Sequence, residues 1–244
     1  MSKRTKFFFG HLSVSLAIAL CASIIIFAFW YDTPLAKAVG VIPLFLMLLV
    51  IDVIIGPLFG LLVYKEGKNT LKFDLATIII LQICAFSYGF YTLAQGRPTW
   101  IVFDSLNFTV VKNSDIEAKN IDQAKAEFQQ SSWFKPTFVA TQFSSVPAPK
   151  TLLNSATKPQ SNSVIRYPAY YINIADVKRR MQLSALPLAL LEQYNNKDTV
   201  DKLIEKYPQA DAWIALSAPV QDMVVLINKE KAEVVKIVDL RPWH

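Results

Sequence analysis

Three long apolar runs fill the first 96 residues of this chain, and no water-soluble fold accommodates them easily. They extend from about residue 7 to 30, 41 to 64 and 75 to 94. At about 1.5 Å of rise per residue, each is long enough to cross a hydrocarbon layer of about 30 Å. Residues 1–96 are therefore expected to form a three-helix transmembrane domain. Lys3, Arg4 and Lys6 precede the first run, and Lys65, Lys68 and Lys72 lie between the second and third. Lys37 and Asp32 are the charged residues of the remaining loop. The excess of positive charge puts the N-terminus and the second loop in the cytoplasm, so residues 97–244 should emerge on the far side. Trp30, Tyr31, Tyr91 and Trp100 then mark the far interface and Tyr64 the near one. Ala36-Lys37-Ala38 has the small-x-small form of a signal-peptide cleavage site. The first run, however, is far longer than the ~7–15 residues of a signal-peptide core, and an uncleaved anchor is expected.

One carboxylate interrupts these runs. Asp52 is followed at intervals of four by Gly56 and Gly60, with Pro57 between them. A carboxylate near the bilayer centre costs several kcal/mol unless it faces protein, water or a partner. Spaced by about one helical turn, Asp52, Gly56 and Gly60 share a face on which the glycines admit a close neighbour. Pro57 has no N–H, so an α-helical register leaves the Val53 carbonyl without its donor. Depth counted along the helices puts Gln82 and Tyr88 of the third run within reach of Asp52. The face either ties the bundle together through such a residue or receives a helix from another chain; Asp52, Gly56, Pro57 and Gly60 are the candidate contacts.

The exported region, residues 97–244, alternates polar and apolar residues as a water-soluble α+β domain with a mainly antiparallel sheet would. Arg97-Pro98 should end the third helix, and Trp100 to Lys112 should form one long or two short strands. Ser114 and Glu117 have capping-box spacing ahead of a helix carrying Ile121, Ala124 and Phe128. A strand is expected over residues 137–143 and an exposed loop over 144–163. Helices are expected over 175–194, interrupted near Pro187, and over 198–207, closed by Pro208. Residues 212–216, 221–228 and 233–240 read as strands, the last two joined as a hairpin through Lys229-Glu-Lys231.

Little here suggests catalysis or a cofactor. Cys21 and Cys84 both fall in apolar runs, so the exported region has no disulfide or thiol chemistry. His11 lies in the first run and His244 is the last residue, a poor basis for a histidine-dependent nucleophile. No metal-ligand spacing and no phosphate-binding glycine loop is present. Asp176, Asp211 and Asp222 read as surface and capping residues. The net charge of +6 includes the cytoplasmic anchors, which argues against a nucleic-acid footprint. Lys178-Arg-Arg180 reads as a solvated helix face, with anionic lipid headgroups as the alternative.

The order of motifs, Ile51-Asp52, Gly56-Pro57-Leu58, Lys72-Phe-Asp74-Leu75, Gln82, Tyr88-Gly89, Arg97-Pro98 and Val102-Phe103, resembles the type IV pilin accessory proteins of the TfpX/TfpZ group. Trp133 with Pro136, Val139-Ala140 and Asp239-Leu-Arg-Pro-Trp243 are similar more loosely. The resemblance implies an inner-membrane accessory role, without enzymatic activity, in the assembly or dynamics of a type IV pilin. It implies the pilin's membrane helix, and possibly its globular head, as partner, with inner-membrane lipid around the helices. A membrane-anchored periplasmic sensor or adaptor without a pilus role, and a membrane-bound enzyme, are the competing readings.

Overall fold

A computed structural model describes residues 1–104, 106–118, 120–142 and 161–243. Three helices long and apolar enough to cross a membrane come first: Lys3–Trp30, Val41–Val63 and Leu71–Gly96. Ser2 starts the first helix, its hydroxyl accepting from the Thr5 N–H at 3.2 Å. Gly40, at φ 77°, makes the left-handed turn into the second. The third stops at Arg97, whose extended backbone is the conformation that a following proline favours. Strand β1 (Pro98–Asp104) therefore begins without a linker.

The helices meet through a narrow apolar seam. Ala22, Ile26 and Trp30 of the first helix pack with Val41, Phe45 and Leu48 of the second and Leu93 of the third. Ring contacts reinforce it: Phe27 meets Phe45 edge-on at 5.0 Å, and Trp30 lies 5.1 Å from Phe90. Leucine and isoleucine side chains elsewhere on these helices face outward, as lipid-facing positions would.

The rest of the chain forms a mixed sheet. Its other strands are β2 (Asn107–Lys112), β3 (Thr137–Thr141), β4 (Tyr171–Asn173), β5 (Leu186–Pro187), β6 (Ala212–Ser217), β7 (Met223–Asn228) and β8 (Glu233–Val238). The order is β4-β3-β1-β2-β6-β7-β8, with β5 on β6. The expectation of a mainly antiparallel sheet is corrected here. β1 pairs with β3, and β2 with β6, in parallel, because long crossovers bring these strands back in the direction of their neighbours. Hairpins supply antiparallel pairs on either side of those joins.

Both faces of the sheet are covered, so the strands read as continuous apolar runs. Ile101, Phe103, Ile214, Val225 and Ile227 face one core with Val177 and Met181. Their neighbours, one residue along, face away: Trp100 and Val102 pack on Phe128, Ile165 and Tyr171. Trp213, Val224 and Leu226 pack on Leu191 and Val200.

Two helix expectations fail in an instructive way. Residues 121–128 form two short 3₁₀ turns, Ile121–Gln123 and Ala126–Phe128, because Asn120 is left-handed and Lys125 extended. Ala124 and Phe128 are buried nonetheless. Residues 174–193 divide into a 3₁₀ turn, a helix Lys178–Ser184, strand β5 and a second 3₁₀ segment, with Pro187 in the strand. The helix Lys197–Lys206 and the hairpin of β7 and β8 form as expected. Residues 144–160 of the expected loop, together with Phe143 of the expected strand, lie outside the described residues. The loop's last three residues belong to a 3₁₀ segment, Ser161–Arg166.

A short helix, Leu35–Val39, links the two parts. Leu35 and Ala38 sit in the same core as Ile101, Phe103 and Phe108, with Phe138 of β3 and Ile237 of β8 against it. Strands near both ends of the sheet thus contribute to the core that receives this helix. The Ala38 carbonyl accepts from the N–H groups of Val220 and Gln221 at 3.0 and 3.1 Å. Lys37 pairs with Asp239 at 2.7 Å, and Asp32 lies 3.5 Å from Lys135 and 3.9 Å from Lys236. Residues that neighbour the long helices in sequence are thus packed with the sheet.

Candidate functional site

Asp52 occupies a π-helical turn, Val50–Ile55, in the second long helix. In this wider register the Gly56 N–H donates to the Ile51 carbonyl, five residues back. The corresponding donor for the Asp52 carbonyl would be residue 57, and proline has none. An ordinary α-helical register puts the missing hydrogen bond at Val53; the π turn puts one at Asp52.

Gln82 of the third helix fills that gap. Its side-chain Nε2 donates to the Asp52 carbonyl at 2.8 Å and to Ser15 Oγ of the first helix at 3.1 Å. Its Oε1 lies 2.9 Å from His11 Nε2, also on the first helix. One amide therefore joins all three helices at one level, in surroundings where an unsatisfied carbonyl would be costly. Gly56 makes room for it: a Cβ there would stand 2.2 Å from Gln82 Oε1. Gly60 does the same one turn on, where a Cβ would stand 2.9 Å from Phe7 Cε1 and 3.3 Å from His11 Nδ1. Gly56, Pro57 and Gly60 are all buried, and both glycines face this chain's own helices.

Of the two expected partners of Asp52, Gln82 reaches it, through the backbone rather than the carboxyl group. Tyr88 does not, and is 74% exposed. Six residues beyond Gln82 places it about 120° around the helix, whereas Gly89, seven beyond, faces inward against Leu48. The Asp52 side chain is 5% exposed, and neither of its oxygens has a hydrogen-bond partner. His11 Nδ1 is likewise buried without one.

These groups line a groove of about 590 Å³ between the first and third helices. Phe7, Val14, Ile18, Ile79, Ile83 and Phe86 form its apolar walls; His11, Ser15, Asp52 and Gln82 supply its polar atoms. Such a groove can seat an apolar segment against one polar point. Sequence reasoning missed His11 and Ser15 as members of the site. Their signal was there: His11 and Ser15 are four apart, hence on one face of a run whose other polar side chains include Ser13 and Ser23.

Where the helices meet the sheet, Arg97 is buried, with Nη1 donating to the Ala94 carbonyl at 2.7 Å and its guanidinium 4.6 Å from the Trp133 ring. Burial lowers its pKa from the ordinary arginine value and raises that of the Tyr31 hydroxyl, which donates to the Leu93 carbonyl at 2.7 Å. Arg180 turns from the basic run Lys178-Arg-Arg180 to donate to the Thr141 carbonyl at 3.0 Å. The sheet's carboxylates serve turns: Asp211 accepts from the Lys229 N–H, and Asp222 from the Ala218 N–H and Trp243 Nε1. Among the described residues, no group of three or more His, Cys, Asp or Glu is placed to hold a metal ion.

The family model described as fimbrial assembly protein FimB matches residues 1–40. A fimbrial assembly protein of Dichelobacter nodosus serogroup I is 28% identical over 182 residues, 73% of this chain and 70% of that protein. The serogroup E1 protein is 32% identical over 126 residues, 51% of this chain and 49% of its own. That of serogroups C1 and C2 is 32% identical over 116 residues, 47% of this chain and 88% of its own. No solved structure matches. A relative 32% identical to this chain, and matched over 88% of its own length, shows the family: this chain belongs to the fimbrial assembly protein family.

Proposed function

We propose that this protein is an inner-membrane accessory factor of type IV pilus biogenesis that supports the assembly or dynamics of a cognate pilin. The TfpX/TfpZ resemblance and the fimbrial assembly relatives supply the process. The observation that carries the mechanism is the groove: an apolar channel between two helices, with a buried, unpartnered carboxyl group at its side. A fimbrial subunit waiting in the membrane offers an apolar helix of the kind such a channel seats. In this reading the Asp52 face contributes through Asp52 itself, while Gly56, Pro57 and Gly60 hold the second helix close enough for the groove to form. The N-terminus lies in the cytoplasm and the sheet domain in the periplasm, where it meets the subunit's head. Both faces of the sheet are filled by the chain's own side chains, which gives the ligand-sensing alternative little support.

Photocrosslinking in cells tests this. A photoreactive residue at Val14 or Ile83, on the groove's walls, should capture the fimbrial subunit; the same residue at Phe73, outside the groove, should not. Asp52→Ala should reduce both capture and surface piliation at normal protein levels. Unchanged piliation with unchanged capture would sink the assignment.

A further inference from the structure

Three polar atoms of the groove, His11 Nδ1 and the two Asp52 carboxyl oxygens, are left over once Gln82 has made its contacts. The Gln82 nitrogen must face the Asp52 carbonyl, which only accepts, so its oxygen faces His11. An amide oxygen also only accepts, so His11 donates to it from Nε2. Nδ1 and both Asp52 oxygens are buried without partners. The two Gln82 hydrogens are committed to Asp52 and Ser15.

Among the described residues no donor is bonded to the Asp52 carboxyl oxygens, while the side chains at the groove's rim, such as Val14, Ile18 and Ile83, are exposed and apolar. We infer that it selects an apolar transmembrane helix carrying one hydrogen-bond donor, best a cationic amine, on the face turned to Asp52. This rests on the reading of the groove as a helix seat and adds the feature by which a helix is chosen. A wholly apolar helix would seal the carboxyl group in hydrocarbon with nothing to satisfy it. A helix with a donor at that depth removes the penalty, and a mismatch in depth restores it.

Full-length protein in phosphatidylcholine vesicles, titrated with labelled peptides, provides the test. The peptides are Leu/Ala helices of about 20 residues with Leu, Ser or Lys at the centre, and binding is read by energy transfer. The expected order is Lys, then Ser, then Leu, with Lys roughly tenfold tighter than Leu. Asp52→Leu should erase the order. Asp52→Asn, the milder change, should keep the preference for Ser and lose that for Lys. Val14→Trp should weaken all three peptides by filling the groove. Equal binding of the three peptides to the wild-type protein, or an order that survives both Asp52 variants, overturns the inference. Peptide selectivity without capture of the fimbrial subunit in cells upholds the inference and removes the pilin assignment. Capture without peptide selectivity does the reverse.

Discussion

The Gln82 side chain donates to the Asp52 backbone carbonyl across 2.8 Å, at the point where Pro57 cannot supply a helical N–H. A polar residue on the third helix thereby repairs a break in the second. Ser15 and His11 tie the first helix to the same amide.

Gln82→Leu should lower the thermal stability of the detergent-solubilised protein by about 1–3 kcal/mol, the cost of leaving a buried acceptor unsatisfied. Pro57→Ala restores an N–H to the second helix and should recover part of that loss. A double-mutant cycle on the melting transition measures the coupling. Strictly additive losses would mean that the two residues do not serve the same carbonyl.

The glycines should rank by what a methyl group meets. Gly56→Ala drives Cβ into the Gln82 amide, which is held by three hydrogen bonds, and should be the most disruptive. At Gly89 the obstacle is Leu48 Cδ1 at 2.8 Å, the end of a flexible side chain, and the cost should be smaller. Gly10 has nothing within 4 Å, so Gly10→Ala should be neutral. Melting temperatures of the three variants give the order directly.

Ala38 is fully buried in the core that the short helix shares with the sheet. Ala38→Leu should overpack that core and cost about 1–3 kcal/mol. The resulting opening should appear as faster protease cleavage within residues 97–244, remote from the substitution in sequence. Lys37→Ala removes an exposed ion pair with Asp239 and should change stability by less than about 1 kcal/mol. Equal protease sensitivity of the two variants would contradict the packing role of the short helix.

Orientation can be read by labelling single cysteines after replacing Cys21 and Cys84 with serine. An impermeant maleimide that has crossed the outer membrane should label Leu183→Cys, on the exposed face of the sheet domain. Glu66→Cys, in the loop between the second and third helices, should react only after the inner membrane is opened. The reverse pattern would invert the assigned topology.

Apolar length and alternation were legible along the chain because each is a local property, fixed by spacing and residue type. They determined three membrane-length helices, the turn of β7 into β8 and Asp52 as the exceptional residue among the apolar runs. The parallel joins of β1 with β3 and β2 with β6 depend on which distant strands become neighbours, and no local pattern records that. Helix signals at residues 121–128 were overruled in the same way: burial of Ala124 and Phe128 against the sheet is satisfied by short turns. At the site, the sequence supplied Asp52, Gly56, Pro57, Gly60 and Gln82, but a π turn altered which carbonyl lacks its donor. Helix rotation turned Tyr88 outward and Gln82 inward. Only tertiary packing brought His11 and Ser15 to the same amide, leaving the Asp52 carboxyl group facing a groove, because the partner of a buried polar atom is decided by which helix faces it.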